Sequence, residues 1–219
     1  MITFFADNHY GTNIGRARYE QLPPELQALI DFHDISDGFM NTEQWAEECP
    51  LLLLDMIGGS CGVDYPGPQA LEQVRLYLES GKNIVLFHGA SAAFHREAWW
   101  RENVGLRWVR PEDPDGETPS FHPIEPVKVK CLASPPELEL HDFQLPEDEI
   151  YLGLKAAPTL QVFLAFERNG ELSPCFAAYR NAFGGTMWSL LPGHAPETAQ
   201  TKELKEITRW LCLYGQQRR

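Results

Sequence analysis

Two short apolar runs flanking one amphipathic stretch constrain this chain most. Leu51–Ile57 and Asn83–Phe87 each read as strands buried on both faces, and between them Leu71, Val74 and Leu78 recur at three and four residues. Pro66 and Pro68 precede that helix, which runs to Ser80, and Gly81 closes it. Strand, helix and strand in this order form a βαβ crossover. It predicts an α/β fold with a mostly parallel central sheet and helices on both faces. In such sheets ligands sit beyond the carboxyl ends of the strands. The tips Ile57-Gly58-Gly59 and Phe87-His88-Gly89 therefore predict the functional edge, with His88 on it.

The remaining elements read less regularly. Ile2–Ala6 is a strand that stops at the polar turn Asp7–Gly11, and residues 16–32 read as helical with a break at Pro23-Pro24. A short helix, capped by Asn41 or Thr42, reaches Cys49. Val127–Val129, Gln161–Phe166, Cys175–Tyr179 and Thr186–Leu190 read as strands, and residues 196–214 as one helix. Residues 111–120, PEDPDGETPS, form an acidic excursion that reads either as a lid or as a solvated loop. No boundary rich in Gly, Ser or Pro divides the chain, which predicts one domain over residues 1–219.

Charge excludes several partners. Lys and Arg number 18 against 31 Asp and Glu, a net charge of −13, and the only basic run is Arg218-Arg219. Such a chain has no long-range attraction for nucleic acid or an anionic membrane. No apolar run approaches the ~20 residues that span a bilayer. The five cysteines (Cys49, Cys61, Cys131, Cys175, Cys212) are scattered and the N-terminus lacks a signal-peptide pattern, so a reducing cytoplasm is expected. Gly58–Gly62 matches neither GxGxxG nor GxxxxGK[ST], so no nucleotide is expected.

His9, His88, His122 and His194 fall at expected strand tips or loops, joined by the pair Asp148-Glu149 and by Tyr151. Imidazole carries protons near neutral pH and is the commonest metal ligand, and a carboxylate can act as base or ligand. Taken singly, each histidine also reads as a hydrogen-bonded surface or half-buried residue, as His33, His95 and His141 do. Cys61 lies between glycines, but the following GVDYPGP is too long for a nucleophile elbow, and an inert turn cysteine is expected. The sharper turn is Phe87–Ser91, where a histidine stands at the nucleophile position and Ser91 reads as an N-cap. Trp99, Trp100 and Trp108 flank this loop and read either as packing or as an aromatic wall suited to a sugar face; Trp45, Trp188 and Trp210 read as core.

The ordered motifs Ile84–Ala90 with His88-Gly89-Ala90, Trp99/Trp100, Val104-Gly105, Phe121-His122-Pro123, Asp148-Glu149-Ile150-Tyr151 and Leu191–His194 resemble the trehalose-utilization (ThuA-like) family. The resemblance spans roughly Leu51 to Leu213. It implies a single flavodoxin-like three-layer domain of the class I glutamine amidotransferase-like superfamily, with His88 where true amidotransferases carry cysteine. His122 matches an "HP" motif, Asp148, Glu149 and Tyr151 a "DExY" motif, and Gly193-His194 a "GH" motif. Departures mark an outlying branch: Ser134-Pro135-Pro136 replaces a second "HP", Gly185-Thr186-Met187 lacks the arginine of "GRV", and Tyr179 stands where tryptophan is common.

The resemblance implies a sugar-active enzyme acting on a keto-sugar or disaccharide derivative. His88, Glu149 and His194 are the expected catalytic residues, and His9, His122, Glu149 and His194 the expected ligands of a divalent metal such as zinc. The expected partners are a small-molecule carbohydrate and a sugar oxidoreductase of the same pathway. The other reading is a non-catalytic carbohydrate-binding or assembly protein that keeps the fold without the cysteine. The sequence leaves oligomeric state open.

Overall fold

The strand pattern explains the layering of the computed structural model, which describes residues 1–217; Arg218 and Arg219 lie outside the described residues. The strands are β1 (Ile2–Ala6), β2 (Ile30–Asp34), β3 (Leu51–Asp55), β4 (Asn83–Phe87), β5 (Leu106–Arg107) and β6 (Ile124–Cys131). They continue with β7 (Phe143–Glu149), β8 (Lys155–Ala156), β9 (Gln161–Arg168), β10 (Glu171–Arg180) and β11 (Thr186–Leu190). The α-helices are α1 (Ile14–Glu20), α2 (Pro24–Gln27), α3 (Gln44–Glu48), α4 (Pro68–Glu79), α5 (Ala98–Arg101), α6 (Pro196–Ala199) and α7 (Lys202–Tyr214).

Because side chains alternate along a strand, β3 and β4 feed two cores. Leu51, Leu53, Val85 and Phe87 pack with Leu204, Ile207 and Leu211 of α7. Leu52, Leu54, Ile84 and Leu86 pack with Val74, Tyr77 and Leu78 of α4. Apolar side chains on both faces thus require a helix on each side, as the sequence predicts.

The sheet has nine strands in the order β2-β1-β3-β4-β11-β10-β9-β6-β7. Pairing is parallel from β2 to β11 and antiparallel from there to β7. The sheet is therefore mixed where a mostly parallel one is expected. The cause lies in the connections: β9 and β10 are joined through Asn169 and Gly170, both at positive φ, and a tight hairpin admits only antiparallel pairing.

Several elements differ from the sequence reading: the two-residue strands β5 and β8 were not expected, and α3 begins after Glu43 without the expected cap from Asn41 or Thr42. The helical stretch expected over 16–32 breaks where the prolines predict, into α1 to Glu20 and α2 over Pro24–Gln27, but its end differs: Ile30–Asp34 forms the edge strand β2. The helical spacing of Leu26, Leu29 and Ile30 hid the alternation that begins at Ile30. Strand β7 carries Pro146 and polar residues, so its sequence does not announce a strand; as a sheet edge it tolerates the missing N–H. The C-terminal helix is divided between α6 and α7.

Helix α1 lies close on the sheet because Gly15 faces β1, where an added Cβ would stand 2.4 Å from that of Ala6. That approach sets Arg18 beneath the carboxyl edge, where its Nε donates to Asp55 Oδ2 at 2.8 Å, both side chains fully buried. No helix among the described residues is long and apolar enough to cross a membrane.

Candidate active site

Four chain segments deliver polar groups to the carboxyl edge. His88 follows β4 at φ 39°, a conformation an L-residue rarely adopts and one that turns the imidazole over the sheet. Glu149 closes β7, and His194 follows β11 after Gly193, which takes φ 103°. His9 follows β1.

Proton placement on His88 is set by its neighbours. Nδ1 lies 2.8 Å from the Leu191 carbonyl, which only accepts, so Nδ1 carries the hydrogen and Nε2 of the neutral ring offers a lone pair. Around Nε2 stand Tyr151 Oη at 3.0 Å, His194 Nδ1 at 3.1 Å and Glu149 Oε2 at 3.2 Å. His194 Nδ1 and Glu149 Oε2 are themselves 3.3 Å apart. Three atoms of types able to ligate a metal thus form a nearly equilateral triangle, with the Tyr151 hydroxyl as a neighbouring donor.

A second tier fixes this triangle. Both oxygens of buried Asp148 accept main-chain N–H bonds, from Gly193 at 2.7 Å and from His194 at 2.9 Å. Arg18 Nη2 donates to the Gly193 carbonyl at 3.2 Å from the opposite side. The turn bearing His194 is therefore held by β7 and by the Arg18–Asp55 pair together.

His9 is oriented differently. Its Nδ1 bonds to Asp7 Oδ1, and Asp7 Oδ2 accepts from the main-chain N–H groups of Ile57 and Gly58. His9 Nε2 is buried without a hydrogen-bond partner. It lines a cavity of about 190 Å³ together with His88, His122, Glu149, Tyr151 and Trp108. His122 sits at the mouth, its side chain 38% exposed and its Nδ1 3.5 Å from Glu149 Oε1.

Electrostatics match these roles. Burial pushes the Glu149 carboxyl up, but the His88 bond and the nearby imidazoles prevail and hold it below its usual value. Burial, then His88, depresses His194 and favours its neutral form. For His9 burial acts downward, yet the Asp7 bond and charge outweigh it and the pKa is raised. Burial keeps Tyr151 protonated well above the usual phenol range.

The structure thus brings His9, His88, His122, Glu149 and His194 to one edge. His88, Glu149 and His194 meet there, while His9 and His122, expected as metal ligands, line the cavity outside that cluster. Asp148 and Tyr151, singled out in the sequence only as motif neighbours of Glu149, take defined positions here, and Asp7, which sequence reading missed, orients His9; the Asp7–His9 spacing was the available signal for it. Ser91 Oγ, expected as an N-cap, has no hydrogen-bond partner. Of the three tryptophans flanking the loop, Trp108 lines the cavity, whereas Trp99 and Trp100 pack against Phe94. A larger cavity, about 500 Å³, lies over β1 and β2 and includes Asp7, Asp34 and Tyr65, but none of these imidazoles.

His95 lies off the cavity, and its burial, followed by Arg110 and Arg96, lowers its pKa to about 4. The unfolded chain binds this proton near the ordinary 6.5. Between these values the unfolded state binds more protons, so this stability contribution is complete above pH 6.5 and is lost as pH falls toward 4. Urea unfolding across that window is expected to show an added slope approaching ~1.4 kcal/mol per pH unit, absent in His95→Gln. Equal slopes in the two proteins would contradict it.

The profile of the ThuA family, described as trehalose utilisation, matches residues 62–210. No curated protein matches the sequence significantly. Among solved structures, a ThuA-like protein from Parabacteroides merdae superposes with a TM-score of 0.69 at 14% identity, covering 97% of this chain and 90% of its own. A cytoplasmic protein from Salmonella typhimurium LT2 gives 0.61 at 13% identity, with 100% of both chains covered. A β-galactosidase from G. stearothermophilus gives 0.50 at 9% identity, covering 86% of this chain and 27% of its own.

Proposed function

Because the chain belongs to the ThuA family of trehalose utilisation, we propose that it is a sugar-active enzyme whose His88, Glu149 and His194 hold a divalent cation such as zinc. The observation that carries this reading is the triangle of His88 Nε2, Glu149 Oε2 and His194 Nδ1, with edges of 3.1, 3.2 and 3.3 Å. A tetrahedral ion ~2.0–2.2 Å from each donor separates them by about 3.3–3.6 Å. Three lone-pair atoms at such range repel one another unless a proton or a cation lies between them. A lowered Glu149 and a neutral His194 are in the protonation states that ligands require.

A cation there would polarise a substrate carbonyl or hydroxyl oxygen. The protein's own groups supply the rest. His9, with Nδ1 tied to Asp7 and Nε2 free on the cavity, accepts a proton from a C–H beside a keto group and can return it to a neighbouring atom. Tyr151, held protonated, donates a hydrogen bond to a substrate oxygen. Trp108 offers an apolar face beside His122 and Tyr151, against which the C–H side of a pyranose can lie. This reaction class fits a keto-sugar or a disaccharide derivative, undergoing isomerisation, epimerisation or elimination.

The same reading takes residues 1–219 as one ThuA-like domain with flavodoxin-like layering, supported by α4 and α7 on opposite faces of β3 and β4. It places the protein in the cytoplasm, in keeping with five free cysteines, and alongside a sugar oxidoreductase that makes or consumes the keto group. Incubating keto-disaccharides with zinc-loaded and chelator-treated protein and following them by NMR tests the activity. Turnover that disappears with the chelator and returns with zinc is expected. Binding without turnover in either sample would replace the enzyme with a carbohydrate-binding protein.

A further inference from the structure

The same cavity contains one strong cation whose role the chemistry above leaves open. Arg110 is the only Lys or Arg lining it among the described residues. Its guanidinium reaches the Ser60 hydroxyl at 3.3 Å, and its Nε is buried without a hydrogen-bond partner. No carboxylate among the described residues lies within ion-pair distance of it, although the chain has 31 acidic residues against 18 basic ones.

The acidic excursion 111–120 explains how this arises. Three of its four carboxylates are engaged elsewhere: Asp113 and Asp115 each bond to the buried Arg107, and Glu117 pairs with Lys155 at 2.8 Å, while Glu112 stands beyond ion-pair distance of Arg110. Asp113 also accepts the main-chain N–H of Arg110 at 3.0 Å, which fixes where that residue leaves the loop. A segment that reads as a lid or a solvated loop is thus a pinned support that sets one unpaired guanidinium at the cavity.

We infer that Arg110 is a substrate-binding residue for a carboxylate, so that this site takes an acidic sugar, an aldonate or uronate, in preference to a neutral one. The inference rests on the proposed metal site: a divalent ion and Arg110 facing the single carboxylate of Glu149 leave the cavity with excess positive charge. The guanidinium fork matches a planar carboxylate in two parallel hydrogen bonds. One arginine without a lysine, beside a Gly58–Gly62 turn that matches no phosphate-binding motif, fits a carboxylate better than a phosphate ester. The local positive field also contributes to holding the neighbouring His95 down to about 4, after burial.

Calorimetry with D-glucuronate, D-gluconate, D-glucose and glucose 6-phosphate tests this, on wild type, Arg110→Gln and Arg110→Lys, with metal content and circular dichroism measured on each sample. The wild type is expected to bind at least one of the two acids ≥10-fold more tightly than glucose and more tightly than the phosphate. Arg110→Gln should lose that preference while keeping metal, fold and its affinity for glucose; Arg110→Lys should keep part of it. Equal binding of acid and neutral sugar, tighter binding of the phosphate, no binding of either acid at 10 mM, or equal losses for acid and glucose in folded Arg110→Gln would each overturn the inference. Metal-replete protein without acid preference refutes the Arg110 role alone. Metal-free protein that still prefers the acid refutes the cation site and supports the Arg110 role.

Discussion

Replacing Glu149 by Gln is expected to weaken zinc binding by at least ~100-fold and to reduce any metal-dependent turnover in proportion, with the fold retained. Removing a group that merely orients a ligand costs 10–100-fold in affinity. Glu149 contributes the only negative charge among the three proposed ligand atoms, so its loss is expected to exceed that range. The substitution keeps the size of the side chain and leaves His88 Nδ1 on the Leu191 carbonyl and Asp148 on Gly193 and His194. Competition against a chromophoric chelator measures the effect, and wild-type zinc affinity in the variant would refute the role of Glu149.

The second large effect is structural. Asp55→Ala strips the partner from Arg18, a guanidinium that is fully buried and already has an unpartnered Nη1. Breaking a buried pair on one side costs ~3–5 kcal/mol, because the remaining charge stays desolvated. The Phe87 ring, 4.5 Å from the Arg18 guanidinium carbon, offers only partial compensation. Replacing both partners by apolar residues, Arg18→Met with Asp55→Leu, should recover most of that loss. Urea unfolding of the single and double variants measures both; a single-variant loss below ~1 kcal/mol would contradict this account. Since Arg18 also holds the Gly193 carbonyl, Asp55→Ala should additionally weaken zinc binding through His194.

The centre of the parallel half was legible because β3, α4 and β4 follow the two simplest patterns, continuous burial and the helical stripe, whereas its edge strand β2 was hidden by helical spacing. The positions of His88 and His194 followed from the same pattern, each standing just past a buried strand. The polar edge strand β7 was not legible: Pro146 and a run of acids say loop in one dimension, and only pairing with β6 makes them a strand. Glu149 was nevertheless identified, through its motif and not through its element. Convergence itself could not be read. His9 differs from His88 in role because Asp7 captures its Nδ1 and leaves Nε2 bare, a difference set by the Ile57 and Gly58 amides fifty residues away in sequence. Arg110 escaped notice because an arginine beside an acidic run looks paired until the loop turns Asp113 and Asp115 toward Arg107 and Glu117 toward Lys155.

The most direct test of the cation site is an anomalous-difference map from crystals of zinc-reconstituted protein. The account predicts one strong peak ~2.0–2.2 Å from His88 Nε2, Glu149 Oε2 and His194 Nδ1. A map without a peak at those three atoms, or with zinc held only at surface carboxylates, would contradict it.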